Sequence, residues 1–273
     1  MAATTSTTDF QYVFDNGWRD GLARLEAAQQ LVDPGTQRLI EAFGDCEGWR
    51  CLEAGAGAGS IAFWLSDRVG VRGSVTATDI ETRFLQAESR PNLDVRRHDL
   101  RSDELPRDEF DLVHTRLVLE HLPERHRVIS RLIDALRPGG WLLIEAVDYV
   151  SGAPISQRGS DLFARTLHGR LELMREAGLD PYYGRQLPAE LRVRGLRDTG
   201  SEGRVWIMEG GSAAARWFGL SMAQLREHLT SSGRLSASEI DEMLELFEDP
   251  EFAAWTPVIV SAWGCRPLDE ANA

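Results

Sequence analysis

Residues 50–54, Arg-Cys-Leu-Glu-Ala, read as a strand that ends in Gly55-Ala56-Gly57-Ala58-Gly59, and a helical pattern opens at Ser60. A strand, a glycine-rich turn and a helix in that order restrict the fold more than any other part of the chain. Glycine permits tight turns and close approach of a ligand to the backbone, and a helix start presents N–H groups that have no partner inside the helix. Glu53 places a carboxylate just ahead of the loop.

Around this loop, apolar runs alternate with helical patterns. Strands are predicted at 50–54, 74–78, 93–97, 110–115 and 141–147, with helices at 60–68, 81–88 and 124–136. That alternation implies right-handed crossovers, an α/β class and a largely parallel sheet covered on both faces, with ligands beyond the carboxyl ends of the strands. Ahead of the sheet, Leu22, Leu25, Ala28 and Leu31 recur at helical spacing, and Asp33-Pro34 reads as the cap and first turn of a second helix ending at Phe43. Beyond Asp148 the rhythm breaks into helices at 160–177, 188–194, 213–229 and 237–248 and strands at 203–208 and 258–264, which brings the predicted sheet to seven strands. The chain thus divides into an arm and helix (1–33), a core (34–150) and the rest of the sheet (151–273), with helical cap insertions at about 151–180 and 212–255. Phe163, Tyr182, Tyr183, Trp217, Phe218, Phe247, Phe252 and Trp255 lie in those insertions, either packing the cap onto the sheet or lining a ligand site.

Two ligands suit the loop. A nicotinamide dinucleotide would use a Gly-x-Gly-x-x-Gly pattern, which fails at 55–57–60 but passes at 57–59–62 if Ala62 is allowed. The other reading rests on a longer set of residues. Glu53 to Gly59, an acidic residue followed by x-Gly-x-Gly-x-Gly, resembles the first motif of the class I S-adenosylmethionine (SAM)-dependent methyltransferases, and further matches follow in order. Asp79 ends the second predicted strand, Asp99 follows the third within His98-Asp99-Leu100, and Thr115-Arg116 ends the fourth. Leu119-Glu120-His121-Leu122-Pro123 and Leu136-Arg137-Pro138-Gly139-Gly140-Trp141 are similar to segments that follow there.

The resemblance covers residues 34–150 and implies a Rossmann-like, doubly wound fold with SAM as cofactor. It assigns cofactor binding to Glu53, Ala54, Gly55, Gly57, Gly59, Asp79, Ile80, Asp99, Leu100, Thr115 and Arg116. In the family, Asp79 would hold the ribose hydroxyls and Asp99 the adenine amino group. Each aspartate can equally be a helix cap or loop carboxylate, and Arg116 can pair with a carboxylate of the sheet instead of a ligand. His121 is the first candidate for a proton acceptor, with His168 and Tyr149 behind it. A satisfied structural histidine is the alternative at 121.

Exclusions narrow the acceptor. The chain has 43 acidic and 30 basic residues, a net charge of −13, which is the wrong balance for a partner bound through phosphate neutralisation, so no nucleic acid is expected. All 30 basic residues are arginine, which rules out Schiff-base, pyridoxal-phosphate and phosphate-loop lysines. Thr115-Arg116-Leu117-Val118 stands where nucleobase-amino methyltransferases carry an Asn/Asp-Pro-Pro-aromatic motif. Glu145 and Asp148 alone do not make a magnesium site, and no metal is expected. Cys46, Cys51 and Cys265 lack metal-ligand spacing, the N-terminus has no signal-peptide pattern, and no apolar run reaches the roughly 18 residues of a membrane span. A cytoplasmic enzyme methylating oxygen or carbon of a small, largely apolar secondary metabolite is expected, with no membrane partner. Arginine-only usage points to a bacterial, GC-rich source. A cyclase or non-transferring binder on the same fold stays open. So does a homodimer, with Tyr12 and Phe14 either closing over the site or packing on a partner subunit.

Overall fold

The computed structural model describes residues 18–268. Helix α1 (Gly21–Ala42) precedes β1 (Arg50–Ala54), α2 (Ser60–Val69), β2 (Ser74–Asp79), β3 (Leu93–Arg97), β4 (Phe110–Arg116), α3 (Arg125–Ala135) and β5 (Leu136–Asp148). The remainder runs β6 (Ala153–Pro154), α4 (Ser160–Glu176), α5 (Tyr183–Arg192), β7 (Arg197–Arg204), β8 (Ile207–Glu209), α6 (Ala213–Ser231), α7 (Ala237–Leu246), β9 (Ala253–Trp255) and β10 (Val258–Cys265). Seven strands form one sheet in the order β3-β2-β1-β4-β5-β10-β7. The first five pair in parallel, and β10 runs antiparallel to β5 and β7. The expected Rossmann-like, mostly parallel seven-stranded sheet is therefore the one observed.

Alternation of side chains along the central strands builds a core on each face. Leu52, Ala54 and Val113 pack with Leu132 and Leu187 on one side. Cys51 and Leu112 pack with Ile61, Leu65 and Val75 on the other. Strand order reverses between β1 and β4, which opens a crevice at their carboxyl ends. Helices α4, α6 and α7 enclose a separate core of Phe163, Phe218, Met243, Phe247 and Phe252 with β8 and β9. Phe252 lies 5.8 Å from both Phe163 and Phe247, so these rings hold the cap together.

Four local expectations need correction. Helix α1 does not break at Asp33-Pro34; it continues through Pro34. Asp33 accepts from Ser60 Oγ at 3.1 Å and Arg116 Nη2 at 2.7 Å, so its side chain is used across the fold and not as a cap. Only a 3-10 turn at Leu85–Ala87 forms where a helix was predicted at 81–88, because Leu85 is its single buried anchor. The strand predicted at 203–208 is two: β7 is the polar edge of the main sheet, and β8 pairs with β9 in a three-stranded sheet. The helix predicted at 188–194 begins earlier, at Tyr183, and carries Pro188 inside it. Tyr12 and Phe14 lie outside the described residues. Among those described, no helix is long and apolar enough to cross a membrane, and all three cysteines are buried and free.

Candidate functional site

The glycine loop is fastened to β2. Gly55 and Ala56 donate to the Thr78 carbonyl at 2.8 and 2.9 Å, and the Gly57 N–H donates to Asp79 Oδ2 at 2.8 Å. Gly59 caps α2 at φ +88°, and a Cβ there would meet Phe63 at 2.6 Å, so both backbone and packing demand glycine. Above the loop lies a cavity of about 370 Å³. Glu53, Gly55, Gly57, Asp79, Ile80, Asp99, Leu100, Arg116 and His121, the candidates read from the sequence, reach its wall. Ala54 and Thr115 are buried inside their strands and, with Gly59, do not belong to that wall.

Helix α1 forms the opposite wall through Arg24, Leu25, Ala28, Gln29 and Val32, and α6 adds Trp217. Leu25 and Ala28 recur at helical period, but that pattern alone does not separate a core-facing stripe from a ligand-facing one. Leu117 follows β4 at φ +58°, a left-handed backbone rarely held by leucine, and lines the cavity.

Two carboxylates are set differently. Asp79 is buried and accepts from Gly57 and from Glu81 N–H at 3.0 Å, yet burial outweighs these bonds and raises its pKa. Asp99 is gripped by Arg101, which donates Nε at 3.0 Å and Nη2 at 2.8 Å, and this pairing lowers its pKa. Acceptors at the ends of β2 and β3, loop amides and a nearby Glu53 suit a ligand with a ribose diol, an amino-bearing base and a positive charge.

The family described as "Methyltransferase domain" matches residues 52–142, the stretch that builds this loop and strands β1 to β4. Over that stretch the chain is similar to the SAM-dependent methyltransferases. "Methyltransferase str2" of the fungus Strobilurus tenacellus is 41% identical over 90 residues, 31% of this chain and 30% of that protein. "Methyltransferase str3" of the same organism is 33% identical over 82 residues, 30% of this chain and 29% of its own length. The chain thus spans less than a third of each of these relatives. Phosphoethanolamine N-methyltransferase 2 of Haemonchus contortus, solved with phosphomonomethylethanolamine and S-adenosylhomocysteine, shares the fold at a TM-score of 0.55. It is 16% identical, over 94% of this chain and 60% of that one.

Behind the cavity runs a buried polar row that the sequence reading did not find. Strand register sets Glu53 opposite His114 and Arg116 opposite Glu145. His114 contacts Glu53 at 2.6 Å and Glu145 at 3.3 Å. Burial alone would lower the His114 pKa, but the two carboxylates outweigh it and raise it to about 9. Glu145, despite burial, is lowered to about 2 by His114, Arg116 and Arg204. Glu145 also accepts from Thr36 and from Ser261 at 2.6 Å, while Arg116 donates to Thr36 at 2.9 Å and pairs with Asp33. Arg116 therefore both lines the cavity and clamps α1 over it. The only signal in the sequence was a histidine inside a buried apolar strand.

His121 lies where the cavity meets a smaller pocket of about 50 Å³. Burial, then Arg24 and Arg125, lower its pKa to about 3, so it is neutral at physiological pH and only weakly basic. Its role is better matched to orienting an acceptor by hydrogen bond than to storing a proton. Tyr149 lines the smaller pocket. His168 does not approach either space: its side chain is 74% exposed and faces Glu172 at 3.3 Å. Glu145 and Asp148 are engaged by arginines, Asp148 by Arg185 at 2.8 and 2.9 Å.

Proposed function

We propose that the protein transfers the methyl group of SAM to oxygen or carbon of a small, largely apolar organic molecule of specialised metabolism. The observation that carries this reading is the cavity of about 370 Å³, whose wall combines the glycine loop, Asp79 and Asp99 at successive strand ends. The loop amides, Glu53, Asp79 and Asp99 would hold the cofactor. Bound SAM supplies a methyl group activated by its sulfonium, transferable in one displacement to a nucleophile whose own proton, where it has one, leaves to solvent or a nearby acceptor.

The chain's part is alignment and dryness. Leu117, Val118 and Trp217 cover the site with apolar surface, which excludes water and strengthens the attraction between the carboxylates and a sulfonium. Neutral His121, at the boundary of the two spaces, would orient the acceptor. Calorimetric titration with SAM, S-adenosylhomocysteine and NADPH tests the reading. Micromolar binding of the first two alone is expected, and binding of NADPH without them would overturn it. Turnover of SAM to S-adenosylhomocysteine with an acceptor separates transfer from cyclase chemistry or simple binding.

A further inference from the structure

The smaller pocket holds a charge that no carboxylate among the described residues neutralises. Arg170, on α4, is 7% exposed and lines this pocket. Its Nε has no hydrogen-bond partner, and no carboxylate is paired with it among the described residues. Its one aromatic contact, Phe218 at 5.2 Å, offers a ring face and no counter-charge. Burying an unpaired guanidinium is costly, so a fold that retains one has use for the charge.

The surroundings have the same sign. Arg24 reaches the wall shared by the two spaces, and no Asp or Glu stands among the residues lining the smaller pocket. The pKa of Arg170 is lowered by burial to about 10, which leaves it charged at neutral pH; Tyr149 opposes that depression and Arg24 adds to it. Trp206, Trp217, Phe218 and Tyr149 supply the rest of the wall with aromatic surface.

We propose that the smaller pocket receives a carboxylate on the methyl acceptor, with Arg170 as its counter-charge and the aromatic rings around its skeleton. The acceptor is then an aromatic or otherwise flat acid, apolar except for one anionic end. Room of about 50 Å³ suits a carboxylate group, and a planar guanidinium matches it with two parallel N–H donors. The end to be methylated would extend past His121 towards the cofactor cavity. This inference rests on the methyl-transfer reading for its meaning, but the pocket's anion preference is measurable by itself.

The test is calorimetry with benzoate and its neutral isostere benzamide, with and without saturating S-adenosylhomocysteine. Benzoate is expected to bind the wild-type protein at least tenfold more tightly than benzamide. In Arg170→Met that difference should shrink below threefold, and Arg170→Lys should keep part of it, while S-adenosylhomocysteine affinity changes by less than threefold. Arg170→Met should also raise the thermal midpoint by about 2–4 °C, because it removes an uncompensated buried charge. Equal binding of benzoate and benzamide by the wild type, or a tenfold preference surviving in Arg170→Met, would overturn the proposal. A lowered midpoint in that variant would do so too, since it would mean that the arginine holds the fold. Tighter binding of phenyl phosphate than of benzoate would overturn the carboxylate assignment. Failure of S-adenosylhomocysteine to bind would sink the cofactor reading instead, and the benzoate contrast measured without it would still decide the role of Arg170.

Discussion

Replacing Asp79 by alanine should weaken S-adenosylhomocysteine binding by at least a hundredfold. A carboxylate offers about four lone-pair positions; the Gly57 amide takes one on Oδ2 and the Glu81 amide one on Oδ1, with the Ile80 amide also close by. Each oxygen thus keeps a position for one hydroxyl of a ribose diol. A hydrogen bond to a charged acceptor contributes about 1.5–3 kcal/mol, so loss of two costs about 3–6 kcal/mol, or roughly 10²–10⁴ in Kd. Asp79→Asn is not a gentle substitute, since its NH₂ would face one of the two backbone donors. The assay is calorimetry on both proteins with 5′-methylthioadenosine and its 2′,3′-dideoxy analogue beside S-adenosylhomocysteine. On the wild type the diol-less ligand should bind more weakly by about the same factor as the mutation costs; on Asp79→Ala, removing the diol should cost almost nothing more. S-adenosylhomocysteine affinity within threefold of wild type would refute the reasoning, as would an undiminished diol effect in the variant.

The loop glycines should separate by cause. Gly57→Ala meets nothing closer than Leu25 at 3.6 Å and bears only the left-handed backbone cost of about 1–2 kcal/mol, whereas Gly59→Ala adds collisions with Phe63 and Leu85. Urea unfolding should show Gly59→Ala the less stable by at least about 1 kcal/mol, and equal losses would contradict the packing. A double-mutant cycle on Asp33→Asn and Arg116→Gln should give a coupling above about 1 kcal/mol in the same assay, because the pair is largely enclosed at 2.7 Å. For His121, the folded pKa of about 3 lies below the unfolded value of 6.5, so below pH 6.5 the unfolded chain takes a proton that the native state refuses. Between pH 7.5 and 5.5 the wild type should lose about 1.4 kcal/mol relative to His121→Gln; identical slopes would show that the imidazole is not so buried in effect. His114 works in the opposite sense: its raised folded pKa stabilises the protein below pH 6.5, and that contribution disappears as pH climbs through about 9.

What was legible in the chain followed short-range rules. The strand–glycine–helix joint, the aspartates at strand ends and the parallel sheet all announce themselves through local period and turn chemistry, and Glu53, Gly57, Asp79 and Asp99 came together in one cavity as expected. Long-range pairing was not legible. Arg116 reaches Asp33 across 83 positions and Glu145 reaches Arg204 across 59, separations that no local pattern encodes. Proline at 34 was misread for a related reason. Its ring forbids one backbone hydrogen bond, but tertiary contacts on both sides of it keep α1 continuous, and a local helix-break rule has no access to those contacts. Edge strand β7 escaped because a strand with exposed polar side chains lacks the apolar signature that marked the others.

Carboxylates stand on only one side of the two adjoining spaces. Glu53, Asp79 and Asp99 line the loop-side cavity together with Arg24, Arg101 and Arg116, whereas the smaller pocket is lined by Arg24 and Arg170 and by no carboxylate, with His121 held neutral at the boundary. An anionic end of the acceptor would meet only arginine in the smaller pocket but carboxylates as well in the larger cavity. On the proposed assignments the fold therefore favours one end of the acceptor facing the cofactor before any hydrogen bond to the acceptor atom is formed. Neutral His121 fits this division, since a charged imidazole at the boundary would repel the cofactor and draw the acid group towards the wrong space. That is a physical reason for a buried histidine beside Arg24 and Arg125 to have lowered basicity.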